Sequence, residues 1–182
     1  GAGLEAVRLF SEPAAVVIKH NNPCGIALGG GGAEALSRAI EADAESAFGG
    51  VVVLNRAMDE AAAAVIARFK GETHGNMDII AVPAIEEQTL ETLKKMRKSM
   101  GIYTFGDVPK ARSDKYNLKW LDGGFILQDS DDDIEKHFAK WEVATKVQPT
   151  AQQMARMKTA WKFISRIKSN AVIAVDKELP MT

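Results

Sequence analysis

The chain has 182 residues, of which 46% are hydrophobic and 26% are charged, and its formal net charge is −1. These values fit a single globular domain over residues 1–182 and do not favour a nucleic acid as a partner. No apolar run approaches the roughly 20 residues of a membrane-spanning helix, so we expect no membrane partner. The one cysteine excludes an internal disulfide, which fits the reducing cytoplasm as the compartment.

In chain order, the first half alternates helical patterns with runs rich in β-branched residues. Continuous apolar runs predict buried strands at residues 14–18, 51–54, 79–82 and 102–105. Apolar residues at helical spacing predict helices at residues 3–10, 33–42, 59–68 and 86–100. This alternation is typical of an α/β fold.

The second half adds a hairpin, a long helix and a last strand. Asp122 and Gly123 predict the turn of a hairpin between two strands. A long helix is predicted to begin at residues 149–150 and to end near residue 168, and the apolar run at 171–175 predicts a further strand. Because the hairpin follows the alternating half, we expect a mixed sheet with helices on both faces.

The motif at residues 19–25 reads Lys-His-Asn-Asn-Pro-Cys-Gly and directly follows the first predicted strand. Residues 21–25 predict a turn. Lys19 offers a compact cation, and His20 offers the side chain that most often acts as a base near neutral pH. In open α/β sheets, ligands bind beyond the carboxyl ends of the strands, where we expect this pair. The dipeptide alone favours a solvated pair, whereas the complete motif favours a functional site.

Three further segments offer ligand-binding groups, each with a structural alternative. Phe48 can stack on a flat ring while Gly49 and Gly50 allow close approach to a ligand, but a core Phe with turn glycines is an equal alternative. Asp78, just before the third strand, is either a polar site group or a solvated turn residue. Asn170 follows the long helix and is either its C-cap, which is the better local interpretation, or a partner of a bound amide.

Two other features favour a structural interpretation. Cys24 has only His20 nearby in sequence as a partner, so a small buried hydrophobe is favoured over a nucleophile. Four glycines at residues 29–32 precede a helix and can cradle a phosphate, although a flexible loop is at least as good an interpretation.

Taken in order, these segments resemble the formyltransferase domain of the bifunctional purine biosynthesis proteins, usually fused to IMP cyclohydrolase. The resemblance is carried by residues 17–25, 43–55, 78–83, 143–146 and 168–172, together with the hairpin residues 123–124 and 128–129. Single pieces are weak, but the ordered series over nearly the whole chain is highly specific. The resemblance implies a cytidine-deaminase-like fold, a mixed sheet sandwiched between helices, present twice in the transformylase. The chain would be the first copy with the start of the second, as a fragment of a longer protein.

The resemblance also implies the reaction and its catalytic residues. The formyl group of N10-formyltetrahydrofolate would pass to the 5-amino group of AICAR (phosphoribosylaminoimidazolecarboxamide), giving FAICAR. His20 would be the base, and Lys19 would stabilise the oxyanion or protonate the folate leaving nitrogen. Asn170 would hold the carboxamide of AICAR and orient His20.

The remaining implications concern the pocket and the partners. The residues implied to line the substrate or folate pocket are Asn22, Pro23, Phe48, Gly49, Gly50 and Asp78. AICAR and the folate co-substrate would be the ligands, no metal is expected, and the protein would be a homodimer with its sites between subunits. Formate as the formyl donor remains an open alternative. Because further motifs of the family are not found in the chain, we expect no turnover by the fragment alone.

Two competing interpretations differ in class. A zinc nucleobase deaminase has a similar fold but needs His-x-Glu and Pro-Cys-x-x-Cys motifs. Pro23 and Cys24 are not followed by the second cysteine, so we reject this class. A non-catalytic fragment, or a nucleotide- or folate-binding module of the same family, remains the alternative to an enzyme.

Overall fold

The computed structural model describes residues 1–107, 116–130 and 134–175. The helices are α1 (Ala2–Val7), α2 (Gly32–Ala42), α3 (Ala44–Ala47), α4 (Glu60–Thr73), α5 (Glu87–Met96), α6 (Glu135–Phe138) and α7 (Ala151–Ile164). The strands are β1 (Ala14–Lys19), β2 (Asn22–Leu28), β3 (Gly50–Leu54), β4 (Met77–Val82), β5 (Gly101–Thr104), β6 (Tyr116–Leu121) and β7 (Gly124–Asp129).

Five strands form one mixed sheet in the order β2-β1-β3-β4-β5. β1 is antiparallel to both of its neighbours, whereas β3, β4 and β5 are parallel. The parallel strands are joined through α4 and α5, because parallel neighbours need a crossover long enough to return to the same edge. Within the part of the chain that the structure describes, β6 and β7 pair only with each other. The predicted α/β class with a mixed sheet is confirmed, and the cytidine-deaminase-like label stays a prediction.

Helices cover both faces of the five-stranded sheet. Leu36 of α2 and Ile80 of β4 belong to the larger core on one face, and Phe163 of α7 belongs to the smaller core on the other. Successive strand residues point to opposite faces, so Val17 enters the larger core and Val16 the smaller one. This explains why β1 is a continuous apolar run.

Helix starts follow the predicted capping residues. The Asp59 carboxylate accepts a hydrogen bond from the Ala62 amide at 2.8 Å and begins α4. Thr150 begins α7 with a capping box, in which its hydroxyl and the Gln153 side chain each bond the other's backbone amide. Helix ends were less predictable, because α4 continues to Thr73 while α5 and α7 end earlier than expected.

The prediction of a turn at residues 21–25 was wrong. β2 begins at Asn22 and pairs with β1, so these residues are mostly strand. Pro23 is tolerated because β2 is the edge strand of the sheet, where a missing amide donor leaves no ladder bond broken. The register shifts by one residue between Val17 and Ile18, which leaves Cys24 as the extra residue of a β-bulge.

The second half matches the prediction only in part. The hairpin turn at Asp122 and Gly123 is confirmed, and Gly123 has a φ of +79°. The predicted strand at residues 171–175 was wrong, since these residues form no strand and Val172 is 95% exposed. An apolar run becomes a strand only where a neighbouring strand pairs with it, and no described strand lies beside this run.

One buried polar side chain links the end of β3 to the loop that precedes β1. Asn55 follows β3 and is 8% exposed. Its Oδ1 accepts from the Ala14 amide at 2.8 Å. Its Nδ2 donates to the carbonyl oxygens of Glu12 at 2.8 Å and Phe10 at 3.1 Å. The loop between α1 and β1 is therefore fixed by one amide group.

Candidate active site

The tip of the β1–β2 hairpin carries the predicted catalytic pair. Lys19 pairs with Asn22, so His20 and Asn21 alone form the loop. Their φ angles are 52° and 64°, as a two-residue turn that follows the strand twist requires. Among residues other than glycine, Asn and His tolerate this conformation best. The turn holds an exposed His20 side chain at the end of the hairpin.

Lys19 links the hairpin to the segment before β3. Its Nζ donates a hydrogen bond to the carbonyl oxygen of Phe48, the residue that ends α3. A cation there satisfies a carbonyl at a helix C-terminus, where intrahelical donors are missing. The Phe48 ring is 54% exposed, which excludes the alternative of a core phenylalanine.

Gly49 lies between a cation and a carboxylate. It has a φ of +68°, and its amide donates to the Asn76 carbonyl at 2.6 Å. A Cβ built on Gly49 would lie 3.1 Å from Lys19 Nζ and 3.7 Å from Asp78 Oδ2. Glycine is therefore favoured here by the backbone conformation, and a side chain would also crowd the Lys19 ammonium group. Gly50 is buried, so its neighbours are protein atoms.

Asp78 is held by a network at the start of β4. Its Oδ1 accepts from Arg97 Nη1 at 2.8 Å and from Asn76 Nδ2 at 3.2 Å. The register of β3 and β4 skips Asp78, so it lies within the strand as a bulge residue and not before it, as predicted. A bulge re-aims a side chain away from the regular alternation. The solvated-turn interpretation is thus replaced by an ion-paired carboxylate.

The segment after α7 approaches the same hairpin. The Lys168 amide donates to Asn22 Oδ1 at 3.0 Å, which ties residue 168 to the start of β2. Asn170 is two residues further along the chain and is exposed. Asn22 is thereby occupied by a backbone donor of the same chain, and the segment that carries Asn170 contacts the strand residue that pairs with Lys19. The catalytic and binding roles of all these residues stay predictions.

Cys24 is suited to packing rather than to nucleophilic chemistry. Burial, followed by the nearby Asp43 carboxylate, raises the pKa of the Cys24 thiol to about 11. Its Sγ lies 3.5 Å from the Val17 carbonyl oxygen. Since the thiolate is the reactive form, the group is inert near neutral pH. Pro23 beside it is also buried, so its predicted contact with a ligand stays untested.

Lys19 and His20 lie at the carboxyl end of β1, as the sequence predicts, but the other strands of the sheet begin at this edge. β1 runs antiparallel to β3, so Lys19 lies at the amino ends of β3, β4 and β5. Helices α4 and α5 end at this edge, and the carbonyl groups at a helix C-terminus interact favourably with cations. Lys70 donates to the carbonyl of Met96, the last residue of α5, and Arg97 donates to the carbonyl of Met77 in β4. Positive charge at this edge therefore comes from side chains and not from helix N-termini.

The four glycines at residues 29–32 lie at the opposite edge of the sheet, where β2 ends. The amide of Gly30 donates to Glu34 Oε2 at 2.7 Å. A carboxylate thus occupies the position that a phosphate would need. This arrangement favours the structural interpretation of the glycine run.

A cavity along α7 lies apart from the hairpin tip. It has a volume of about 600 Å³ and is bordered by α7 and the irregular segment before it, including Trp141, Val147 and Met154. On α7, Met157 is 42% and Trp161 is 50% exposed. Among residues 1–107, 116–130 and 134–175, no three His, Cys, Asp or Glu side chains group as metal ligands. In the same ranges, no helix has the length and hydropathy needed to cross a membrane.

Sequence reasoning missed two members of the network. Arg97 was included in the helix predicted at residues 86–100, and Asn76 was not singled out. The only signal was an arginine at a helix end near an aspartate at a strand start, and such charges are usually solvated. Their convergence depends on β4 and α5 being neighbours, which the sequence alone does not state.

Comparison with known proteins identifies the family. The sequence model of the family described as the AICARFT/IMPCHase bienzyme matches residues 1–181. The chain belongs to this family. The bifunctional purine biosynthesis protein PurH of Microcystis aeruginosa is 38% identical over 167 residues, which cover 92% of this chain and 31% of that protein. PurH of Bacillus subtilis is 37% identical over 176 residues, covering 94% and 32%. The chain therefore spans about a third of the length of these relatives, and the resemblance noted in the sequence is confirmed.

Proposed function

We propose that this chain is part of the formyltransferase that passes the formyl group of N10-formyltetrahydrofolate to the 5-amino group of AICAR, giving FAICAR. The observation that carries the proposal is the convergence of Lys19, Phe48, Gly49 and Asp78 beside the hairpin tip that presents His20. A base, a cation, an exposed ring and a carboxylate at one edge are the groups that an acyl transfer between two flat substrates needs.

His20 is the proposed general base. The 5-amino group of AICAR is a weak nucleophile, because its ring and carboxamide withdraw electron density. Loss of a proton to the exposed imidazole, as the nitrogen attacks the formyl carbon, makes the attack productive. The resulting tetrahedral adduct carries an oxyanion, and its collapse breaks the bond from the formyl carbon to N10 of the folate.

Lys19 is the proposed electrostatic partner. Its ammonium group rests on the Phe48 carbonyl and can redirect one of its three donors to the oxyanion, or give a proton to N10 as that nitrogen leaves. Formyl transfer then balances: the formyl group moves to the amino nitrogen of AICAR, one proton leaves that nitrogen through His20, and one proton reaches N10 of tetrahydrofolate from Lys19 or from solvent. His20 then loses its proton to solvent, and Lys19, where it has given one, regains a proton from solvent.

The other residues are proposed to bind and orient. Asn170 would hold the AICAR carboxamide and orient His20, supported by the bond between residue 168 and Asn22. The exposed Phe48 ring would stack on a substrate ring, and Asp78 would accept a hydrogen bond from the folate ring. Pro23 and Gly50, which are buried, would act only by shaping the backbone of the pocket.

The setting of the chain is also a proposal. We infer that residues 1–182 are the first subdomain of the transformylase with the start of the second, within a longer cytoplasmic protein that forms a homodimer. Support comes from the hairpin of β6 and β7, where Trp120 is 73% and Phe125 57% exposed. Large apolar side chains exposed together mark a surface that another part of an assembly covers.

The test is His20→Ala in the full-length protein, with two reactions measured in parallel. Formyl transfer to AICAR is expected to fall by 10²–10⁴-fold, the usual contribution of a general base. Closure of FAICAR to IMP, the other activity named for the family, is expected to be unchanged. His137→Ala, on the exposed end of α6, is the matched control. Unchanged transfer, or loss of ring closure instead, would contradict the assignment.

A non-catalytic binding module is the second candidate, favoured by the exposure of both His20 and Asn170 in the isolated chain. Calorimetry with AICAR and with 5-formyltetrahydrofolate, a stable isomer of the donor, separates the two. Binding by the full-length protein without any formyl transfer would support the module, whereas transfer supports the enzyme.

A further inference from the structure

The segment after α7 leaves the protein core before it reaches Asn170. Phe163 of α7 is buried in the smaller core, whereas residues 168–170 are exposed. Among the residues that the structure describes, one hydrogen bond joins residues 168–170 to the rest of the chain, from the Lys168 amide to Asn22 Oδ1 at 3.0 Å. Because packing contributes little at these exposed residues, this bond largely decides where the segment lies.

Asn22 is suited to hold this segment because its own backbone is fixed. It pairs with Lys19 at the end of the β1–β2 ladder, and Pro23 after it restricts its backbone to an extended conformation. Asn22 is also half-buried, which limits the orientations of its side chain. A backbone amide can only donate, so the side-chain oxygen of Asn22, and not its nitrogen, faces residue 168.

The position of residue 168 limits where Asn170 can lie. Two residues of extended chain span at most about 7 Å, so Asn170 stays near the ladder pair that closes the loop of His20. We propose that Asn22 is a positioning residue: its Oδ1 holds residue 168 so that the Asn170 amide can bind the substrate. This inference rests on the proposed formyl transfer. Asn22 then acts through Asn170 and not through its own contact with a ligand.

The test compares two substitutions in the full-length protein. Asn22→Leu removes the acceptor oxygen at nearly constant volume, and the kcat of formyl transfer should fall about tenfold or more, because a misplaced binding group costs rate steeply. Asn22→Asp keeps an acceptor oxygen for the Lys168 amide but has no N–H group to offer a ligand, so its kcat should stay within about threefold of the wild type.

The comparison is made on kcat because the new charge of Asn22→Asp can raise the KM for AICAR, which carries an anionic phosphate. A loss of kcat in Asn22→Asp as large as in Asn22→Leu would mean that the Nδ2 group contacts a ligand, and it would overturn the proposal.

Hydrogen–deuterium exchange measures the bond itself. The Lys168 amide should exchange about two- to tenfold faster in Asn22→Leu and at the wild-type rate in Asn22→Asp, since that range corresponds to the net strength of one hydrogen bond. Gln88→Leu, which removes an exposed side-chain amide from α5, is the control and should change neither exchange nor kcat. An unchanged exchange rate in Asn22→Leu would refute the role of this bond as the anchor.

A double-variant cycle identifies the residue through which Asn22 acts. Asn22→Leu added to Asn170→Ala should lower kcat less than about twofold beyond Asn170→Ala alone, because the two residues act as one unit. A merely structural role of Asn22, or its own contact with a ligand, would multiply the two effects, and multiplied effects therefore refute the proposal.

The outcomes separate the two proposals. If the wild-type protein transfers formyl but Asn22→Leu keeps its kcat within about twofold, the positioning role is refuted and the proposed function stands. If the wild-type protein neither transfers formyl nor binds AICAR in calorimetry, the proposed function fails and this inference fails with it.

Discussion

Removing the side-chain amide of Asn55 should destabilise the fold more than expected for a residue in a connecting segment after β3. In Asn55→Ala, the Ala14 amide and the carbonyls of Phe10 and Glu12 lose their partner in a site that is 8% exposed. Each buried group left unpaired costs about 1–3 kcal/mol, and water can reach part of the loop, so we expect a loss of about 3 kcal/mol. This is a large fraction of the 5–15 kcal/mol that is typical for a domain.

Urea unfolding followed by circular dichroism measures the effect. With a slope of about 2 kcal/mol per molar, the midpoint should fall by about 1.5 M. Asn170→Ala, which removes an exposed asparagine, should stay within about 0.5 kcal/mol of the wild type. A loss below about 1 kcal/mol for Asn55→Ala would show that the loop re-pairs by itself and that the amide does not fix it.

Asn55→Asp sharpens the same test through pH. The new carboxylate would be buried against two carbonyl oxygens, which raises its pKa above the value of about 3.9 for an unfolded chain. A pKa raised in the folded state gives stability below the unfolded pKa and loses it as the pH rises through the folded pKa. The variant should therefore be more stable at pH 4 than at pH 7, relative to the wild type. A pH-independent difference would refute the geometry.

Two further predictions concern the hairpin edge. Gly49→Ala should lower the free energy of unfolding by about 1–2 kcal/mol and reduce formyl transfer, because its φ is +68° and the new methyl lies 3.1 Å from Lys19 Nζ. The control for unfolding and turnover is Gly124→Ala, where a Cβ meets no atom within 4 Å. Equal effects of the two substitutions would argue against the steric reason. Cys24 should react with iodoacetamide at pH 8 about a hundredfold more slowly in the folded than in the urea-unfolded chain, because a pKa raised from 9.0 to about 11 leaves far less thiolate; equal rates measured by mass spectrometry would exclude the raised pKa.

The central strands β1 and β3 were predictable because they are buried on both faces. Residues 14–18 and 51–54 are continuous apolar runs rich in β-branched residues, because each strand contributes to two cores. β2 was missed because Pro23 and Gly25 are turn residues by their local chemistry, and only an edge position makes them acceptable in a strand. The antiparallel direction of β1, which sets the edge where the site lies, is a property of pairing and has no local signal.

The residue types of the candidate site were predictable, but the side chain that holds Asp78 in place was not. Lys19, Phe48, Gly49 and Asp78 stand out because each is a polar, aromatic or glycine residue at the end of a strand. Arg97 does not, because a cation near a helix C-terminus is common and is normally explained by the helix carbonyls. Its contact with Asp78 depends on the bulge that turns that side chain, and a bulge of one residue leaves no pattern in the sequence.

The two-residue loop at the hairpin tip makes the length of β1 a constraint in its own right. Side chains alternate between faces, and the loop has no spare residue to absorb a change. An insertion or deletion of one residue anywhere in β1 after Val17 would exchange the faces on which Ile18 and Lys19 lie. The effect of a point substitution in β1 depends on the size of the new side chain, whereas an insertion or deletion of a single codon would move Lys19 into an apolar layer. Among variants generated by slippage or by shuffling, functional ones should therefore carry an insertion or deletion in this part of β1 far more rarely than at residues 29–32.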